Sequence, residues 1–238
     1  STVSAAQLEE LYERPAASPA DTGRMTYEDT AVKTVVLLAV LLATSAVGWF
    51  IPVLAIVGAI AGFVLAMVNT FKREPSVPLI VLYAAFEGLF VGGLSSFFNE
   101  RWNGIPLQAA LATFITVGVT LALFASGRIR ASARATKIFL IAMVAYLVFQ
   151  LLNVVLQVTG VVTTTFGLQS GWLGVLIGVA VVIMAAYSLV LDFDQIQQGV
   201  RRGIPAKYGW TGAFGIMVTI VWLYFEFLRL IAILRGSN

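Results

Sequence analysis

The sequence predicts an all-α polytopic membrane protein with seven transmembrane helices, from two features. Hydrophobic residues make up 59% of its 238 positions and charged residues only 11%, more apolar surface than a soluble fold of this length can cover. The apolar residues also gather into runs near 34–50, 53–71, 78–98, 106–126, 137–159, 171–194 and 209–234. Each run is long enough to cross a hydrocarbon core of about 30 Å at about 1.5 Å per residue.

Residues 1–33 are polar and acidic, with Glu9, Glu10, Glu13, Glu28 and Asp29. They lack the basic start of a secretory signal. A cytoplasmic tail is expected there, with room for one short helix over Ala5 to Arg14, followed by the seven-helix domain at 34–238. Only Pro52, in the WFIPV stretch from Trp49 to Val53, separates the first two spans. Proline cannot continue a helix cleanly, so two spans are expected there and not one bent hairpin. The second span carries Gly58 and Gly62. The third opens at Pro78 after Lys72 and Arg73, and holds Glu87 followed by Gly88, Gly92 and Gly93. The fourth and fifth flank a basic stretch from Arg128 to Lys137, and the sixth opens with Gly171, Gly174 and Gly178. Small residues at such spacing let helix backbones approach closely in lipid, and packing is the expected use of these glycines.

Lys and Arg placement sets the orientation, because cytoplasmic loops are enriched in positive residues. With the N-terminus inside, twelve of the fifteen basic residues fall on cytoplasmic segments, and Arg101, Arg229 and Arg235 are the remainder. An odd number of spans then leaves the C-terminus on the opposite side.

The absence of Cys and His removes thiol and imidazole chemistry, so a pH response or a cation site falls to the carboxylates. The ionisable residues within the spans are Glu87, Asp192, Asp194, Glu226 and Arg229. If the sixth helix continues to Arg201, Asp192 lies about 13 Å inside it; if it ends near Gln195, both aspartates are interfacial. Glu87 falls at a similar height, about 13 to 15 Å above the cytoplasmic face, whereas Glu226 falls roughly 10 Å nearer the outer face. Glu226 also has Arg229 three residues on, within reach of an intrahelical ion pair. Two carboxylates that share a dry site cannot both ionise easily, so a proton or a cation would sit between them.

The stretches LVLDFDQI in the sixth span, WLYFEFLRLIAIL in the seventh and FKREPSVPLIVLYAAFEGLFVGGLSS leading through the third resemble the Bax inhibitor family, in its bacterial YccA-like (transmembrane Bax inhibitor motif) branch. The resemblance spans the hydrophobic region. It implies a seventh helix surrounded by six others, a bacterial inner (plasma) membrane location, and a carboxylate pair from the sixth and seventh helices that controls a calcium-permeable path according to pH. Asp192 resembles the first member, with Asp194 as competitor. The family's LYLD-type aspartate falls on Glu226 in LYFE, and Glu87 is the other candidate partner.

The expected function is therefore a pH-sensitive calcium leak, with weak calcium binding at Asp192 and Glu226 completed by water and carbonyl oxygens. The alternative is a non-conducting, proton-sensing regulator that acts through other membrane proteins. No enzyme and no cofactor are expected: a serine hydrolase lacks its histidine, and a retinal protein would need a Lys in the last helix. The expected partners are the lipid bilayer, calcium and protons, and no nucleic acid, with the chain a monomer or small homo-oligomer. The orientation predicts that a cysteine replacing Ser132 is labelled from the cytoplasmic side and one replacing Ser237 from the other. Labelling of both from one side would overturn the seven-span topology.

Overall fold

The computed structural model describes residues 22–236; the expected tail helix over Ala5 to Arg14 lies outside them. Seven helices are long and apolar enough to cross a membrane. They are α1 (Tyr27–Phe50), α2 (Leu54–Phe71), α3 (Val77–Arg101), α4 (Ile105–Ala125), α5 (Ala133–Val158), α6 (Gly171–Arg202) and α7 (Gly209–Gly236). Single 3-10 turns at Gly167–Gln169 and Ala206–Tyr208 precede α6 and α7.

Local chemistry sets the boundaries. Thr26 caps α1, its hydroxyl accepting from the Asp29 amide at 3.1 Å, so the helix begins at Tyr27. The last seven residues assigned to the polar tail are therefore the first two turns of α1. Pro52 ends α1 and separates it from α2, and prolines enter the first turns of α3 and α4, where the missing N–H is not needed. Ser132 caps α5. Gly203, with φ of 64°, stops α6.

Three buried apolar clusters form the interior, and α7 contributes to all of them. Ala213, Phe214, Met217 and Val221 meet α1 and α3; Ile216, Ile220 and Leu223 meet α6; Leu228 and Ala232 meet α3 and α4. More than half of its apolar window is buried, against almost none of α5. α7 is thus the central helix, packed on α1, α3, α4 and α6. α2 departs from a simple ring of six, because it packs on α3. α5 lies against α6 and the Gly167–Gln169 turn and turns a broad apolar face outward, with Ile141, Val144, Val148 and Leu151 all exposed. Such a face suits lipid, where apolar side chains need no protein cover.

α3 is clamped between α1 and α2 through glycine contacts. A Cβ on Gly92 would stand 1.9 Å from the Ser45 carbonyl oxygen, and one on Gly58 2.5 Å from that of Phe86. Gly88 and Gly48 make equally close approaches across the α1–α3 seam. The glycines of the second and third spans are therefore packing residues, as expected.

At the end carrying Arg201 and Arg202, the chain before α1 pairs with the α6–α7 turn. The Met25 amide donates to the Ile204 carbonyl at 2.8 Å and the Ala206 amide to that of Gly23 at 2.9 Å. Met25 itself is buried in the α6–α7 cluster. Lys33 Nζ donates to the Ala206 carbonyl at 2.7 Å, and Lys207 pairs with Glu74 at 3.1 Å.

The clamp predicts that Gly92→Ala destabilises the detergent-solubilised protein by about 1 to 3 kcal/mol, the usual cost of overpacking. Gly118→Ala, where nothing lies within 4 Å, is expected to leave the thermal midpoint unchanged or slightly raised. Equal midpoints for the two variants would refute the close approach.

Candidate functional site

The site is built where α6 crosses α7. α6 runs unbroken to Arg202, so Asp192 stands ten residues, about 15 Å, from that end, and the shorter helix ending near Gln195 does not occur. Its side chain turns to α7. Thr219 Oγ1 donates to Asp192 Oδ2 at 2.7 Å. Gly215, one turn earlier on α7, leaves room for the other oxygen: a Cβ there would stand 3.1 Å from Oδ1. Ser188 Oγ, one turn before Asp192, lies 3.2 Å from the Thr219 hydroxyl and can donate to it. Asp192, Ser188, Thr219 and the Gly215 carbonyl, 3.1 Å from Thr219 Oγ1, form an all-oxygen layer. Among the described residues no basic side chain pairs with Asp192.

Asp194 turns elsewhere. Its Oδ2 accepts from Gln198 Nε2 at 2.6 Å, and it lines a polar cleft of about 280 Å³ with Arg130, Gln197 and Arg201 beside the α4–α5 turn. Glu87 is buried on α3 and faces α2, with Oε2 2.6 Å from where a Cβ on Gly62 would stand. Glycine at position 62 is what makes room for that carboxylate. Neither Asp194 nor Glu87 joins the Asp192 layer.

Glu226 belongs to a second layer. It lies seven residues beyond Thr219 on α7, about 10 Å along the axis, and is 5% exposed. Tyr146 of α5 donates to its Oε1 at 2.7 Å, and Arg229 forms an ion pair with its Oε2. Arg229 Nη1 also donates to Gln169 Oε1 at 2.5 Å, and Gln150 Nε2 to the Tyr146 hydroxyl at 2.6 Å.

The profile of the Bax inhibitor 1 like family matches residues 4–236. The chain belongs to this family. A search of curated proteins returns no match.

In this Bax inhibitor 1 like protein, α6 supplies the half-buried Asp192 and α7 the buried Glu226, and the two do not form a hydrogen-bonded pair. Asp192 is held by a hydroxyl and Glu226 by a phenol and a guanidinium. Of the partners that the resemblance offers for Asp192, Glu226 stands in its own layer about two turns further along α7, and Glu87 faces α2. Asp192 and Glu226, the expected calcium ligands, thus have separate hydrogen-bond partners. Among the described residues no group of three or more acidic side chains could hold a metal ion.

Sequence reasoning missed Ser188, Thr219, Tyr146, Gln150 and Gln169. Thr219 follows Gly215 by four residues, a small-residue notch with a hydroxyl beside it, and this was a readable signal. Tyr146, Gln150, Asn153 and Gln157 recur at helical spacing on an otherwise apolar helix, which marks one inward stripe.

The inner layer predicts a coupling between its two halves. Thr219→Val, which keeps the shape and removes the donor, is expected to destabilise the protein by about 1 to 2 kcal/mol in denaturant unfolding. In an Asp192→Leu background the same change is expected to cost less than about 0.5 kcal/mol. Equal costs in both backgrounds would show that the side chains do not interact.

Proposed function

We propose that this membrane protein is a pH-sensitive calcium leak in which Asp192 is the proton sensor and the transient cation ligand. The observation that carries this reading is the Asp192 layer: a carboxylate beside hydroxyl and carbonyl oxygens between the central helix and α6, with no basic partner among the described residues. A carboxylate there is costly unless its charge is balanced, and either a proton or a cation can balance it. Calcium is a hard cation that takes carboxylate, carbonyl and hydroxyl oxygens. One carboxylate is too few for tight binding, and weak binding is what a conducting path requires. Proton and calcium compete for the same charge, so acid is expected to reduce the flux. The basic residues Arg128, Arg130, Arg201 and Arg202 support a cytoplasmic placement of the end that also carries Arg24 and Met25. An inner (plasma) membrane of bacteria suits this orientation.

Glu226 favours a second reading. Arg229 already neutralises it, so it is not free to ligate a cation, and a non-conducting proton sensor acting on partner proteins needs only the Asp192 layer. Flux separates the two readings.

Calcium flux through purified protein in liposomes, compared at two pH values, tests the proposal. The wild type is expected to lose flux in acid by up to about tenfold per pH unit, the slope of a single titrating carboxylate. Asp192→Asn cannot titrate and is expected to give a flat profile, whereas Asp194→Asn, in its open cleft, is expected to keep the wild-type slope. A wild-type slope in Asp192→Asn would remove Asp192 as sensor, and absence of wild-type flux at both pH values would favour the regulatory reading.

A further inference from the structure

α5 is fastened differently from every other helix. It contains no glycine, its buried position is Asn153 alone, and its outer face is apolar and exposed from Ile138 to Val158. Apolar side chains give helices little drive to associate in lipid, so a helix without close small-residue packing depends on its polar contacts. At its first turn Thr136 Oγ1 lies 2.8 Å from the Tyr187 hydroxyl of α6, and beyond that turn its polar contacts lie on the stripe of Tyr146, Gln150, Asn153 and Gln157. Asn153 accepts from the Leu168 amide at 2.7 Å and donates to the Phe166 carbonyl at 3.2 Å. Gln157 donates to the Thr164 carbonyl at 3.2 Å. Tyr146 bonds Glu226.

Arg229 joins these contacts. Its guanidinium reaches Glu226 on its own helix, Gln169 in the turn before α6, and the Tyr146 hydroxyl, from which Nη1 and Nη2 stand 3.4 and 3.3 Å. A planar guanidinium can serve three acceptors at once, whereas an ammonium on a flexible stem cannot hold the same fork. Two further donors in the cluster, Arg229 Nε and Gln169 Nε2, are buried as well. A buried network of this kind holds its members in place only while each keeps its partner, so loss of one contact loosens the rest.

We propose that Arg229 is the bolt of a second gate, fastening α5 and the 164–169 turn to α7 over Glu226, and that release of this contact swings the far end of α5 outward while the Asp192 layer stays closed. The path then has two barriers in series, an inner one at Asp192 and an outer one at Arg229. This rests on the conducting reading of the Asp192 layer, and the bolt is testable without any flux.

Spin labels on a chain that has no cysteine of its own supply the test. One pair, at Val155 of α5 and Leu111 of α4, reports the far end; a control pair, at Ile138 and Val119, reports the end near Arg201. All four positions are exposed. Distances are measured on the full chain in lipid nanodiscs. Arg229→Lys keeps the charge opposite Glu226 and loses the fork; Tyr146→Phe removes only the hydroxyl on α5. Both are expected to lengthen the far-end distance by about 5 Å, the scale of one helical turn, and to leave the control pair unchanged. Arg235→Gln, which removes an exposed bond to the Asn103 carbonyl, is expected to change neither. An unchanged far-end distance in both variants would overturn the bolt, because the ion pair alone would then suffice. Equal lengthening of both pairs would overturn it too, since α5 would merely have loosened. Calcium flux in liposomes, expected to rise in Arg229→Lys, adds the functional arm. If the wild type conducts nothing, the leak reading falls while the distances still judge the bolt.

Discussion

A helix enclosed by protein within a membrane can offer its polar side chains neither water nor lipid, so each must find its partner on a neighbour. α7 obeys this constraint along its whole length, and its polar groups become the fasteners of the bundle. Thr219 holds Asp192 of α6. Tyr224 holds Ser95 of α3 at 2.5 Å. Glu226 holds Tyr146 of α5, and Arg229 holds Gln169 before α6. Four side chains spaced over three turns of one helix thus place three surrounding helices.

Helix packing adds an asymmetry to that plan. α3 is gripped through backbone contacts at glycines, where even an added Cβ would collide with carbonyl oxygens of α1. α5 is held through long side chains, which can rotate and exchange partners. One side of the bundle is therefore rigid and the other compliant. Asp192 lies between them, on a helix that packs with α7 and also contacts α5.

The seven spans were legible because length and hydropathy in a membrane leave little else for the chain to do, and the ends of α2 and α4 fell within a residue or two of their expected positions. The start of α1 was not, because Glu28, Asp29 and Lys33 read as tail composition, whereas the Thr26 cap and the Lys33–Asp29 pair carry them as helix. Asp192 was legible from its distance to Arg201. The separate hydrogen-bond partners of Asp192 and Glu226 were half legible, since the height of Glu226 and its i+3 arginine were both in the sequence. Which neighbour each acid would meet could not be read, since α3 presents Glu87 to α2 through a vacancy that only Gly62 provides.

The short pairing of Gly23 and Met25 with Ile204 and Ala206 ties the described chain ahead of α1 to the turn that joins α6 to α7. A displacement of residues 23–25 is delivered through two backbone hydrogen bonds to the end of α6. The Met25 side chain, wedged against Gly199, moves with it. Gly199 and Asp192 share one continuous helix and lie about two turns apart. Residues 23–25 are thereby tied, through the α6–α7 turn, to the helix that carries the carboxylate.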